Sequence, residues 1–115
     1  MANVFKLRTK DGSSTAADTD MTVYTVPGST TTVVIGCTLA NLTAGSITVD
    51  AKIVTAATSG ENGDNIFIGK NLPIPSGSSL DVLAGKICLE TGDVFKVQSD
   101  TANSVDVALS IMEQT

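Results

Sequence analysis

From residue 21 onward, apolar and polar residues alternate with period 2 and show no sustained 3.6-residue helical period. In "TVVIGCTLA" the alternation assigns Val33, Ile35, Cys37 and Leu39 to one face and Val34, Gly36 and Thr38 to the other. In "SITVDAKIVT", Ile47, Val49, Ala51 and Ile53 alternate with Thr48, Asp50 and Lys52. In "SVDVALSIMEQ", Val105, Val107, Leu109 and Ile111 point one way, and Asp106, Ala108 and Ser110 the other. One apolar face per strand is the signature of half-buried antiparallel strands. Shorter runs of the same kind are "FKL", "MTVYTV", "NIFIGK", "SLDVL", "KICLE" and "VFKVQS", separated by turn formers such as "VPGST", "LTAGS", "SGENGDN" and "ETGD". The pattern predicts an all-β fold, an antiparallel β-sandwich of jelly-roll-like form with about eight or nine short strands. No segment supports a helix of three turns; "TAADTD" holds helix formers without an apolar face to dock them.

Two stretches mark corners. In "NLPIPSGSSLDVL", Leu72 and Ile74 share a face, while Pro73 and Pro75 lack N–H donors and belong at a sheet edge or strand end. Ser76 to Ser79 then turn the chain before Leu80 and Val82 re-enter the core. In "LETGDVFKV", Thr91, Gly92 and Asp93 supply a tight reversal after Leu89, and Phe95 and Val97 return inward. The stretches "TVPGSTTTVVIG" and "PIPSGSSLDVLAG" echo each other loosely, as two similar corners of one sandwich would.

A length of 115 residues predicts one domain able to bury roughly two-thirds of its unfolded surface. The division expected is an N-terminal strand with a flexible connector over residues 1–20 and a β-sandwich over 21–115. Residues 10–20, "KDGSSTAADTD", carry no large apolar side chain, whereas Val4, Phe5 and Leu7 form a short strand before them. That strand can pair within its own sheet or add to the edge of a neighbouring subunit. Lys6, Arg8 and Lys10, three of the seven basic residues, flank Phe5 and Leu7. These five residues are the candidate partner-binding arm, facing either an acidic neighbour or solvent.

Composition narrows the functions available. Apolar residues make up 42% but aromatics only 3%, so Val, Ile, Leu and Ala must fill the core. A net charge of −5 opposes binding to nucleic acid or to anionic membranes. With no apolar run of membrane-spanning length and no secretory signal in "MANVFKLRTK", the chain is expected to be soluble and made in a cytoplasm. Cys37 and Cys88 both lie in apolar strand patterns and are expected to be reduced core residues.

Histidine is absent, which removes Ser/His/Asp and Cys/His nucleophile systems and the commonest transition-metal ligand. Two thiols are too few for a cysteine-based zinc site. Pairs such as Asp18 with Asp20 or Glu90 with Asp93 read as acidic turns, without the aromatic platforms of a glycosidase. "GDNIFIGKN" fails the phosphate-loop pattern, because five residues separate Gly63 and Gly69 and Asn71 follows Lys70. The "SGENGDN" loop, with Glu61, Asn62, Asp64 and Asn65, has oxygen ligands for a weak calcium site, but an Asn-Gly hairpin loop fits it better. The expectation is therefore no catalytic residues, no cofactor and no metal.

Three stretches in order, "VYTVPGSTTTVVIGCTLAN", "NLPIPSGSSLDVLAGKICLETGDVFKVQS" and "SVDVALSIMEQ", cover most of residues 21–114. Their order and spacing resemble a family of small virion structural proteins of tailed bacteriophages, of the marine and cyanobacterial type. The N-terminal "KLRTKDGSSTAADTD" and the cysteines depart from that pattern. The resemblance implies a non-enzymatic module repeated over a virion, made in the host cytoplasm. Its first implied role is a capsid decoration or cement protein on the outer surface, with the major capsid protein or another virion protein as partner. A neck, tail or fibre-associated component, with receptor or glycan binding, is the alternative. A homo-oligomer is expected, with a trimer matching quasi-threefold capsid positions. Glycan recognition would require an exposed aromatic or polar cluster, and Tyr24, the single tyrosine, alternates within a strand.

Overall fold

The computed structural model describes residues 3–12, 15–57, 63–83 and 85–115. Among them lie nine strands and no helix: β1 (Asn3–Lys10), β2 (Met21–Thr25), β3 (Thr31–Asn41), β4 (Ile47–Val54), β5 (Asn65–Ile74), β6 (Ser79–Asp81), β7 (Ile87–Leu89), β8 (Val94–Ser99) and β9 (Val105–Gln114). Two antiparallel sheets form. One has the order β1-β9-β3-β6, with β7 also pairing β3, and the other the order β2-β8-β4-β5.

The chain folds as a long hairpin rolled up on itself. β4 and β5 pair at its closed end, β3 with β6 and β7 next, β2 with β8 after that, and β1 with β9 at the open end. Successive strands therefore cross from one sheet to the other everywhere except at the β4–β5 hairpin and between β6 and β7. This is the jelly-roll arrangement, in which β6 and β7 share one strand position. The two echoing corners are both crossovers from the second sheet to the first, β2 to β3 and β5 to β6.

Period 2 names the core correctly on most strands. Ile47, Val49, Ala51, Ile53, Phe95, Val97, Val105, Val107, Leu109 and Ile111 are all buried. β3 differs in its first half. Val34 is buried, Val33 half-buried and Ile35 exposed, the reverse of the sequence reading, while Cys37 and Leu39 are buried as expected. The cause is a β-bulge: Val34 pairs with Ile111 and Gly36 with Ser110, so Ile35 is an extra residue and the face flips across it. Cys88 is a second correction, being exposed although Cys37 is buried; both thiols are free. Cys88 pairs with the outward Val33, and the inward positions of β7 fall to Ile87 and Leu89 on either side.

The "NLPIPSGSS" corner ends a strand longer than expected, because "NIFIGK" and "NLPI" run together as β5. Asn71, at φ 54°, kinks that strand, and its N–H donates to Asp50 Oδ1 at 2.7 Å. Pro73 lies opposite Thr48 on this edge strand, where its missing N–H breaks no ladder. Ser78 N–H donates to Pro75 O at 3.1 Å across Gly77, whose φ of 68° a side chain would resist. The "ETGD" corner is pinned by Asp93, which is 2% exposed. Its carboxylate accepts Ala56 N–H at 3.0 Å and Glu90 N–H at 2.9 Å, and its carbonyl accepts Val26 N–H at 2.9 Å. One acidic residue, through its carboxylate and its backbone carbonyl, thus ties three loops at one end of the roll.

Candidate docking surface

β1 is an edge strand paired only with β9, so its outer row of backbone groups is open. Residues directly opposite in an antiparallel pair share a face. Lys6 lies opposite Ile111, Arg8 opposite Leu109 and Lys10 opposite Val107, all three partners being core residues. Phe5 lies opposite Met112 and Leu7 opposite Ser110, on the outside. β1 therefore has largely inverted polarity: its basic side chains, with Val4 opposite Glu113, take the interior side of the sheet, and Phe5 and Leu7 face solvent. Phe5 is 73% exposed and Leu7 59%. The five arm residues predicted from sequence sit on one strand but divide between its two faces.

The inversion is sustained by an acidic residue on β9. Glu113 continues the inward row of Val105, Val107, Leu109 and Ile111 and is 6% exposed. Its Oε1 accepts Lys6 Nζ at 2.7 Å, and its Oε2 accepts the Tyr24 hydroxyl at 2.5 Å. The Tyr24 hydroxyl also meets Thr32 Oγ1 at 2.8 Å. The Lys6 and Tyr24 hydrogen bonds hold the Glu113 carboxyl below its ordinary range, with Lys6 and Arg8 charges adding to the effect against the opposing cost of burial. Burial first, and the Glu113 hydrogen bond second, push the Tyr24 phenol up to about 12. Tyr24 is thus a core residue and offers no surface platform. Lysine on the interior side of an edge strand is also a known barrier to uncontrolled edge pairing.

Outward from β1 a row runs in register across four strands: Phe5, Met112 on β9, Val33 on β3 and Cys88 on β7. Beside it lie Leu7, Ser110 and the bulged Ile35, itself 40% exposed. At the other end of this face, Thr9, Ala108 and Thr38 align in a row of small side chains. With Ala40 they floor a hollow of about 380 Å³ rimmed by Lys10, Asp11 and Asp106.

The opposite outer face has a different character. Thr22, Lys96, Lys52 and Phe67 align across β2, β8, β4 and β5. Lys70 Nζ stands 4.4 Å and Lys52 Nζ 5.7 Å from the Phe67 ring centre. Both lysines are also paired, Lys70 with Asp50 at 3.1 Å and Lys52 with Asp20 at 2.8 Å. The Asp20 contact, with Gly12 N–H to Asp106 Oδ1 at 3.1 Å and Asp18 N–H to Ser99 O at 2.8 Å, fastens the connector between β1 and β2 to the body.

Among the described residues no group of three or more Cys, Asp or Glu side chains is placed to hold a metal ion. Glu61 and Asn62 of the proposed calcium loop lie outside the described residues; Asp64 is engaged with Thr55, whose N–H donates to Asp64 O at 2.9 Å. No helix among the described residues is long and apolar enough to cross a membrane. Sequence reasoning missed Glu113 and the face it organises. The available signal was an acidic residue at an inward strand position, which calls for a buried partner. No protein-family model matches the chain, and comparison with curated proteins gave no match.

Proposed function

We propose that the chain is a non-enzymatic structural protein of a phage virion, a capsid decoration or cement protein that binds the outer capsid surface and opposes separation of its subunits. The observation that carries the reading is β1, an open-edged strand with no buried side chain, with its basic residues on one side and Phe5 and Leu7 on the other. An extended acidic segment of the major capsid protein, or of another virion protein, would add to this edge through backbone hydrogen bonds. Arg8 and Lys10 would supply the charge complementarity. The ordered resemblance over residues 21–114 and a jelly-roll frame lacking histidine support the same class. Repetition over a lattice would multiply a modest affinity per copy.

The test is binding to particles stripped of the protein. Arg8→Gln with Lys10→Gln should reduce occupancy at least tenfold, with a circular-dichroism melt verifying that the variant folds. Deleting residues 1–10 should abolish binding. Unchanged occupancy in both variants would refute the reading. Stoichiometry separates locations: hundreds of copies per particle fit the capsid, and a dozen or so the neck or tail. Phe67, 44% exposed beside two lysines, favours the alternative of a receptor- or glycan-binding tail component. Glycan binding abolished by Phe67→Ala would establish that alternative.

A further inference from the structure

We propose that the outer face of the β2-β8-β4-β5 sheet binds an acidic sugar, one carrying a carboxylate or a sulfate. Lys96 and Lys52 take the anion, and Phe67 takes the apolar side of the sugar ring. This specificity deepens the glycan-binding reading of Phe67, on which it rests, and is independent of β1.

The strand pattern builds the site. Phe95 and Val97 on β8 and Ala51 and Ile53 on β4 are buried, so alternation turns Lys96 and Lys52 outward. Register then places these two lysines directly opposite each other, with Thr22 beyond Lys96 and Phe67 beyond Lys52. Like charges directly opposite on neighbouring strands destabilise a sheet. Asp20 compensates Lys52 at 2.8 Å, where the lysine side chain is only 13% exposed. Asp50 compensates Lys70 at 3.1 Å. Lys96 is half-buried and has no ion-pair partner among the described residues. Three ammonium groups in this cluster thus meet two carboxylates, leaving one positive charge uncompensated on a chain of net charge −5.

Charge complementarity makes the occupant an anion, and topology narrows its class. β8 and β4 are interior strands, so both rows of their backbone groups are already paired. An extended polypeptide finds no ladder to join here, unlike at the open edge of β1. Recognition has to run through side chains. The face offers two ammoniums for a carboxylate or sulfate, and Gln98 and Thr22 for hydroxyl groups. Phe67, 44% exposed, offers its ring to the C–H side of a sugar, and Lys70 Nζ, 4.4 Å from the ring centre, holds that ring beside Lys52. A neutral sugar would leave Lys96 uncompensated, and a small inorganic anion would leave Phe67 and Gln98 unused. A flat face gives an affinity in roughly the millimolar range per copy, which repetition would multiply.

The test is a titration of the isotope-labelled full chain, followed by amide chemical shifts. The probes are a galacturonate tetramer, a heparin tetrasaccharide, neutral galactotetraose and hexaglutamate. One or both acidic sugars should shift the amides around Lys52 and Lys96, which also decides between carboxylate and sulfate. The neutral sugar and the peptide should bind at least about tenfold more weakly. Lys96→Gln should weaken acidic-sugar binding about tenfold or more. The same variant should raise the melting temperature by about 1–5 °C, because it relieves the repulsion with Lys52. A lysine retained for stability alone would lower it. Arg8→Gln with Lys10→Gln should leave the titration unchanged, so sugar binding and particle binding are separately readable. No response to either acidic sugar at millimolar concentration, equal binding of hexaglutamate, or binding unaffected by Lys96→Gln would overturn the proposal. Neutral-sugar binding lost in Phe67→Ala but kept in Lys96→Gln would also overturn it, while leaving the glycan reading of Phe67 standing.

Discussion

Replacing Glu113 by Gln tests how β1 is held. The carboxylate is nearly buried and accepts two hydrogen bonds, from Lys6 Nζ at 2.7 Å and the Tyr24 hydroxyl at 2.5 Å. A hydrogen bond to a buried charged group contributes about 1.5–3 kcal/mol. The Lys6 side chain is 34% exposed, so solvent screening reduces its share to about 0.5–1 kcal/mol. Gln keeps an acceptor for Tyr24 but turns a neutral amide toward the ammonium of Lys6. The expected loss is about 1–2 kcal/mol for Glu113→Gln and about 2–4 kcal/mol for Glu113→Ala, which also removes the Tyr24 acceptor.

The pH dependence has a definite sign. Because the Glu113 pKa is lower folded than unfolded, its contribution is complete above the unfolded value of about 4.3 and disappears as pH falls through the folded value. The Tyr24 pKa is raised to about 12, so its contribution is complete below its ordinary value near 10 and disappears as pH rises through the folded one. Urea melts from pH 2 to 11 should show stability falling at both ends. Glu113→Gln should flatten the acid limb, and Tyr24→Phe the alkaline one. Amide exchange in β1 should accelerate in Glu113→Gln while that of β8 changes little. A Glu113→Gln loss below about 0.5 kcal/mol, with an unaltered acid limb, would show that the backbone ladder alone holds β1.

Three further outcomes follow from single contacts. Asp93→Ala removes a buried acceptor from two backbone N–H groups and should cost about 3 kcal/mol in chemical denaturation, the largest effect at any loop position. Gly12→Ala should also destabilise strongly and release the connector to proteolysis, because an added Cβ would stand 1.9 Å from Val105 O on the rigid β9 backbone. In the native protein a thiol reagent should modify Cys88 and spare Cys37, which is fully buried with a thiol pushed up to about 12 chiefly by burial; two reactive thiols without denaturant would contradict the packing.

The core was legible wherever a strand keeps one register along its length. β9 and β8 do, and every inward apolar residue there follows from alternation alone. β3 does not, because Ile35 is looped out opposite β9, and a bulge leaves no mark in a run of Val-Val-Ile-Gly. Alternation also says nothing of which neighbour a strand acquires. "NIFIGK" and "NLPI" looked like separate pieces because Asn71 and Pro73 are poor strand formers, yet β4 aligns both along the edge of its sheet. Cys88 was misplaced for a related reason: a three-residue strand has too short a run to show which residue faces inward.

The docking face shows a deeper limit of sequence reading. Period 2 divides β1 into Phe5 and Leu7 on one side and Lys6, Arg8 and Lys10 on the other, and hydrophobicity alone would turn the apolar pair inward. The structure turns them outward, because inside and outside are decided by register with β9. If β1 were turned over, Glu113 would keep the Tyr24 hydroxyl but lose its cation, Phe5 or Leu7 taking the side now held by Lys6. The Lys6–Glu113 pair offsets part of the cost of exposing two apolar side chains, about 1.5–3 kcal/mol each when fully transferred. One acidic residue over a hundred positions away in sequence thus contributes to the orientation of the first strand. The apolar surface displayed by Phe5 and Leu7 accompanies that pairing of Lys6 with Glu113.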